Sequence, residues 1–264
     1  MSRRKLPVLF ARTPALIRVG RKGEEALKEL LQRILGPLGL RVIRTTRITK
    51  ADLFDHVISL SFSPSTVIDV GVGRGTPELY EPFPNSTFLL VEPVVEFEPF
   101  LREICGKYSA DYIIAAAGDN TGDIVLNVPQ QTEGALEGSS IYDHGGGYSP
   151  RVVPQITLDQ VCVERNLAGP YLIKLDVQGA ELEVLNGASK LLASTELVIL
   201  ESNLFEFHPG VPQFHDVVHY MKARGFVLYD IADPNYRPLD RALGQLDTAF
   251  VKENGVFRRH HTWM

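Results

Sequence analysis

Thr66-Val-Ile-Asp-Val-Gly-Val-Gly-Arg-Gly-Thr76 is the stretch whose reading decides the fold. Val67, Ile68 and Val70 are β-branched, as a strand covered on both faces requires. Asp69 sits near the carboxyl end of that strand. Gly71, Gly73 and Gly75 follow at alternate positions. Glycine there admits positive φ and lets a ligand come close to the backbone. In open α/β sheets, ligands bind at the carboxyl ends of the strands. The turn is therefore the expected floor of a nucleotide-type pocket; a glycine turn with no ligand is the plainer alternative.

A second apolar run, Phe88-Leu-Leu-Val-Glu92, also ends in an acid. An acid at the end of a second strand accepts hydrogen bonds from a ribose diol. That geometry serves NAD and S-adenosylmethionine alike. A dinucleotide fingerprint wants G-x-G-x-x-G, with pyrophosphate on a helix amino end. Here the spacing is G-x-G-x-G, with Asp69 two residues before the first glycine. A carboxylate is awkward beside pyrophosphate and suits a ligand carrying an ammonium or sulfonium charge.

The chain has 264 residues, enough for one large α/β domain or one domain with an extension. Its 44% hydrophobic and 22% charged content is that of an ordinary globular protein. A net charge of −5 gives no basic footprint for broad nucleic-acid binding. The basic clusters, Arg3-Arg-Lys5 and Arg258-Arg-His-His261, are terminal and read as solvated tails. The two cysteines, Cys105 and Cys162, form no CxxC and read as buried structural thiols. Pro7, Arg12 and Pro14 break any signal-peptide core, and no run has the length of a membrane span. The expected setting is the cytoplasm, with no nucleic-acid or membrane partner.

Residues 1–50 read as an extension and 51–264 as the main domain. Ala26, Leu27, Leu30, Leu31, Ile34 and Leu35 make one apolar stripe on a helix over 24–35, closed by Gly36-Pro37. That helix is expected to pack on the main domain or on a partner, as in a homodimer. Residues 40–49 read as a short strand and 52–62 as a second helix, where His56 is either a pocket residue or an ordinary helix histidine. Phe97, Phe100, Leu101 and Ile104 mark another helix, and 111–117 a third strand. Small residues at its end, Ala116 and Ala117, leave room for a flat ring or for tight packing. A further strand is expected at 122–128.

Residues 130–150 are rich in Gln, Thr, Gly and Ser. A loop this long is functional or disordered, and it reads as a flexible lid whose polar reach is Ser139, Ser140, His144, Tyr148 and Arg151. Thr157 caps a short helix. Tyr171-Leu-Ile-Lys-Leu-Asp176 is a core strand, 181–192 a helix, and Glu196-Leu-Val-Ile-Leu-Glu201 a strand. A helix at 214–224 and strands at 226–231 and 247–251 complete the chain. Alternating strands and helices predict a doubly wound, mostly parallel α/β sheet. The last two strands have no helical pattern between them, which predicts an antiparallel edge.

Three apolar strands end in Glu92, Asp176 and Glu201, with Asp69 inside the first. Acids gathered at one sheet edge repel one another, so cations or hydrogen-bond donors must offset them. A ribose, a sulfonium amino acid and a hydroxyl substrate would do so; a divalent metal is the competing answer, without a ligand spacing to name its residues. Glu181 suits the first turn of a helix by its dipole or belongs to the site. Lys174 is paired with an acid or snorkels. His208, His215 and His219 read as surface histidines or fillers near Phe205 and Phe207.

The order V-I-D-V-G-V-G-R-G-T, L-V-E-P, Y-L-I-K-L-D-V-Q-G-A-E-L-E-V-L-N-G-A, V-I-L-E-S-N and G-Q-L-D-T-A-F-V resembles the FkbM family of S-adenosylmethionine-dependent methyltransferases. The resemblance covers about residues 52–252 and is most specific over Ile173–Gly187. Gln178 stands where an acid is common in the family, and Val72 where alanine is common. The resemblance implies the seven-stranded, Rossmann-like sheet of class I methyltransferases and methyl transfer to a hydroxyl, often on a sugar or a polyketide-like product. It implies that Asp69, Gly71 and Gly73 line the amino-acid end of the cofactor, that Glu92 holds the ribose hydroxyls, and that Ala116 and Ala117 face the adenine. Alignment and exclusion of water carry much of methyl transfer, and a weakly acidic hydroxyl benefits from a general base. Asp176 is the first candidate base, Glu201 the second and His144 the third. An NAD-dependent oxidoreductase and a non-catalytic partner-binding protein are the alternatives.

Overall fold

The computed structural model describes residues 30–34, 37, 49–130, 133–142 and 147–263. The chain divides into two units, Met1–Thr46 and Arg47–Met264. In the first, residues 30–34 are helical; the remainder of the helix expected at 24–35 lies outside the described residues. The strand expected at 40–49 also lies outside them, except for Thr49, which caps the first helix of the second unit.

In that second unit the strands are β1 (Thr66–Val70), β2 (Thr87–Val91), β3 (Ala110–Ile113), β4 (Ala116–Ala117), β5 (Gly122–Pro129), β6 (Tyr148–Ile156), β7 (Tyr171–Leu175), β8 (Thr195–Asn203), β9 (Phe226–Tyr236) and β10 (Leu243–Lys252). The helices are α1 (Lys50–Ser59), α2 (Pro77–Tyr80), α3 (Glu98–Lys107), α4 (Leu158–Glu164), α5 (Glu181–Asn186) and α6 (Phe214–Ala223). Seven strands form one sheet in the order β3-β2-β1-β7-β8-β10-β9. All neighbours are parallel except β10, which runs antiparallel to both β8 and β9. This is the doubly wound, mostly parallel seven-stranded sheet with an antiparallel edge that the sequence led one to expect. The hairpin between β9 and β10 is short because no crossover helix is needed when strands reverse direction.

Side chains alternate along a strand, so each strand feeds two faces. Ile68, Val70, Leu89, Val91, Ile173, Leu175, Val198 and Leu200 pack with α4, α5 and α6. Val67, Phe88, Leu90, Leu172, Leu197 and Ile199 pack with α1, α2 and α3. Each fully buried aliphatic side chain contributes about 1.5–3 kcal/mol. The acids keep time with the second face. Asp69 is two residues after Val67, Glu92 two after Leu90, Asp176 four after Leu172, and Glu201 two after Ile199. The phase that buries leucine and valine in mid-sheet therefore brings carboxylates together at the carboxyl edge.

Three expectations change in detail. The strand expected at 111–117 is two strands: β3 stays in the main sheet, and the chain then turns away so that β4 pairs with β6. A second sheet, β4-β6-β5, results, and the Ala116 methyl packs in its small apolar cluster with Phe97, Leu126 and Val153. The helix expected over 181–192 ends at Asn186. Gly187 follows, where an added Cβ would lie 1.9 Å from the Gly118 carbonyl oxygen, so close backbone packing halts the helix there. Much of the expected lid is ordered in the β5–β6 connection: Glu133–Gly138 is a 3₁₀ turn, and Asn127 bridges to Ser140.

Candidate functional site

The glycine turn after β1 is shaped by one close approach. Gly71 has φ +74°, and a Cβ there would lie 1.8 Å from the Asp176 carbonyl oxygen. Gly73 has φ +53° and donates its N–H to Glu92 Oε2 at 2.8 Å. Val94 N–H donates to Glu92 Oε1 at 2.9 Å. Burial raises the Glu92 pKa; the two N–H groups and Lys174 work against that rise. Above this turn lies a cleft of about 340 Å³. Gly71, Gly73, Glu92, Ala116, Ala117, Asp176 and Glu201 all line it, so one crevice gathers strand ends that are distant in sequence.

Asp69 is placed otherwise than expected. It is fully buried and is not part of the cleft wall. Tyr80 Oη donates to its Oδ2 at 2.5 Å, and Lys174 Nζ lies 3.3 Å from its Oδ1. Asp69 and Lys174 are cross-strand partners in the β1–β7 register. Lys174 Nζ also donates to the Gly71 carbonyl at 3.3 Å and lies 3.6 Å from Asp176 Oδ2. Burial alone would lower the Lys174 pKa; Asp69, Asp176 and Asp247 outweigh it and hold the ammonium charged. The pair thus braces the underside of the glycine turn. Tyr80 was not anticipated from the sequence. Lys174 carried a signal, a cation inside Tyr171-Leu-Ile-Lys-Leu175 with acids on both sides of it in the fold.

Asp176 and Glu201 meet at the far end of the cleft. Gln178 bridges them, its Nε2 donating to Asp176 Oδ1 at 2.9 Å and to Glu201 Oε2 at 3.3 Å. Gln178 holds a left-handed backbone at φ +54°, a conformation that costs a residue with a Cβ. Gln245 Nε2 donates to the same Glu201 oxygen at 3.2 Å. Glu201 is pushed up to about 8 by burial and by Asp176, Glu181 and Asp247, with Lys174 pulling the other way. Its cross-strand partner is Asp247, whose own charge is met by Lys50 at 2.5 Å. Lys50 also reaches Asp233 at 2.8 Å. Glu181 does not line the cleft: its Oε1 accepts from the N–H groups of Val177 (3.1 Å) and Gly179 (3.2 Å), tying the loop after β7 in place. Burial pushes it up to about 7 against those hydrogen bonds.

The β5–β6 connection covers one side. Arg74 Nε lies 3.3 Å from Glu137 Oε1, joining the glycine turn to the 3₁₀ turn. Ser139 lines the cleft, and Ser140 Oγ donates to the Gln178 carbonyl at 2.8 Å. Tyr142 Oη donates to Glu183 Oε1 at 3.0 Å. Arg151 turns away and is held by Glu96 through two contacts of 2.7 Å. Tyr148 begins β6. His144 lies outside the described residues. His56 is not at the cleft; its Nε2 lies 2.9 Å from Tyr229 Oη, with the rings stacked. His215 and His219 are exposed. Among the described residues, no group of three His, Cys, Asp or Glu side chains is arranged to hold a metal ion.

The chain is similar to several solved structures at low sequence identity and low TM-score. A precorrin-6y C5,15-methyltransferase from Geobacter metallireducens is 12% identical, with 80% of this chain and 93% of that one covered at a TM-score of 0.40. A magnesium protoporphyrin IX methyltransferase from Synechocystis, solved with bound S-adenosylmethionine, is 12% identical over 90% and 86% of the two chains at 0.39. A 1,6-didemethyltoxoflavin-N1-methyltransferase from Burkholderia thailandensis, with S-adenosylhomocysteine, is 12% identical over 92% and 94% at 0.39. No curated protein sequence matches the chain significantly. The methyltransferase FkbM domain model matches residues 69–228, which run from Asp69 in β1 into β9. That match spans the glycine turn, Glu92, the Asp176–Gln178 loop and Glu201, and on it the chain belongs to the FkbM methyltransferase family.

Proposed function

We propose that the chain transfers a methyl group from S-adenosylmethionine to a hydroxyl of a sugar or other small natural product. One observation carries the hydroxyl assignment: the paired carboxylates of Asp176 and Glu201 face the cleft, bridged by Gln178. A hydroxyl must give up its proton as it is alkylated, and a carboxyl held near pH 8 is a useful base for that step. The cofactor fits the residues present. Gly71 and Gly73 keep Cβ atoms off the floor, and Glu92 retains lone pairs beyond those used by the Gly73 and Val94 N–H groups. When bound, S-adenosylmethionine supplies an electrophilic methyl on a cationic sulfur.

Glu92 then accepts the ribose hydroxyls. The small residues Ala116 and Ala117, which line the cleft, would face the adenine. The Asp176–Glu201 pair accepts the acceptor's proton, and the segment around Glu137 and Ser139 excludes water. Glu201, pushed up by burial and by its acidic neighbours, is the first candidate base of the pair. We place the reaction in the cytoplasm; the free thiols of Cys105 and Cys162 support that setting. Calorimetric titration with S-adenosylhomocysteine tests the cofactor, with micromolar binding expected and a weakened Glu92→Gln variant. Absence of binding to the folded wild type would refute the reading. Transfer of labelled methyl to amine acceptors and to no hydroxylated one would refute the hydroxyl assignment alone.

A further inference from the structure

Two amide groups converge on one oxygen of Glu201. Gln178 Nε2 donates to Oε2 at 3.3 Å, and Gln245 Nε2 donates to the same oxygen at 3.2 Å. A carboxyl oxygen offers two lone pairs, so Oε2 is filled and has no place for a proton. Among the described residues no hydrogen bond reaches Oε1, and Oε1 is not one of the oxygens buried without a partner. It is therefore open to the cleft that Glu201 lines. Asp176 offers no such atom. Its Oδ1 accepts the other Gln178 amide hydrogen at 2.9 Å, and its Oδ2 lies 3.6 Å from the Lys174 ammonium.

We infer that Gln178 and Gln245 are positioning residues that reserve Glu201 Oε1 as the atom receiving the acceptor's proton. The inference rests on the methyl-transfer reading and names, for that site, the atom and the residues that prepare it. Oε1 takes the hydroxyl proton as the acceptor oxygen bonds to the methyl carbon and the carbon–sulfur bond breaks, its electron pair staying on sulfur. The fold commits both amides to this task. Gln178 keeps a left-handed backbone at φ +54°, a cost that persists only where the surroundings over-determine it. Its carbonyl is held by Ser140 Oγ at 2.8 Å. Gln245 sits between two register shifts of the β9–β10 pair, irregularities of the kind that re-aim a side chain. It is two residues from Asp247, the cross-strand partner of Glu201, so it shares their face of the sheet and reaches Glu201 along the diagonal. Hydrogen bonds donated to a carboxylate favour its ionised form. The amides thereby act against the rest of the surroundings: burial, Asp176 after β7, Glu181 on α5 and Asp247 on β10 favour the proton, and Lys174 of β7 opposes it. Behind Asp247 stand Lys50 of α1 and Asp233 of β9.

The test is carboxyl-carbon NMR of the full chain labelled at its glutamate side chains, with Glu201→Gln identifying the Glu201 signal. Gln178→Met and Gln245→Met should each raise the Glu201 midpoint by about one pH unit, as loss of one hydrogen bond to a charged group implies. Gln178→Glu, equal in size, should raise it at least as far, which separates the donor from its bulk. The amides lie on different elements, so one variant keeps the test decisive if the other fails to fold. A second readout places Oε1. Sinefungin carries an ammonium where S-adenosylmethionine carries its methyl, and S-adenosylhomocysteine carries no group there. Calorimetry should show sinefungin preferred about tenfold above the Glu201 midpoint, with the preference lost below it and in Glu201→Gln. A midpoint that stays put or falls in either folded amide variant would overturn the inference, as would a sinefungin preference that survives Glu201→Gln. If neither adenosyl ligand binds the folded wild type, the methyl-transfer reading fails and the role of Oε1 with it. Unmoved midpoints with both ligands bound would overturn this inference alone.

Discussion

Replacing Lys174 by methionine removes one charge from beneath the glycine turn and keeps most of the side chain's volume. Its side chain is 5% exposed and that of Asp69 fully buried, with the ammonium 3.3 Å from the carboxylate. At an effective dielectric of about 20, unit charges at that distance attract by about 5 kcal/mol. Desolvation of the two ions offsets much of this in the intact protein. The variant loses the attraction and still carries the buried Asp69, with Tyr80 as its remaining donor. Such half-broken buried pairs cost about 3–5 kcal/mol. For a chain of this size that is a fall in Tm of about 6–20 °C. The Lys174 pKa is raised on folding, so its contribution is fully present below the unfolded lysine value and is lost only as pH rises through the folded one. The whole effect is therefore expected at pH 7. Urea unfolding followed by circular dichroism measures it. Adding Asp69→Asn should recover stability relative to Lys174→Met alone, because the uncompensated charge is then gone. A loss below about 1 kcal/mol, or a double variant equal to the sum of the singles, would refute the bracing role.

The pH dependence of methyl transfer should follow Glu201. Glu201 is pushed up to about 8, so turnover should rise with pH through that value and level off above it; Glu201→Gln should remove the rise. The same shift has a stability consequence with the opposite slope. Glu201's folded value lies above its ordinary value of 4.5, so its contribution is fully present below about 4.5 and is lost as pH rises through about 8. Thermal unfolding should therefore show Glu201→Gln gaining on wild type as pH rises from 5 to 9, and a constant difference would contradict the assignment. Gly71→Ala meets both φ +74° and the Asp176 carbonyl at 1.8 Å. It should displace the loop after β7 and abolish S-adenosylhomocysteine binding in calorimetry; retained affinity would show that the turn tolerates a Cβ.

The sequence by itself determined the sheet and its direction of reading. Apolar pentapeptides such as Thr66–Val70 and Tyr171–Leu175 are buried along their whole length, and a strand covered on both faces has no other composition open to it. The acids at 92, 176 and 201 were legible because each interrupts an apolar run at its carboxyl end. Glycines 71 and 73 were legible because positive φ leaves few other residues. What only the tertiary structure decided concerns neighbours across strands and loops. Asp69 looked like a cleft residue, yet its phase within β1 points it at Lys174 of β7, and register sets that meeting. The strand expected over 111–117 splits because β6, distant in sequence, offers a pairing edge to Ala116 and Ala117. Gln178 joins Asp176 to Glu201 only because β7 and β8 are adjacent. Local composition fixes which residues are buried and which turns need glycine; side-chain partners depend on strand order and register, long-range quantities that no local pattern encodes.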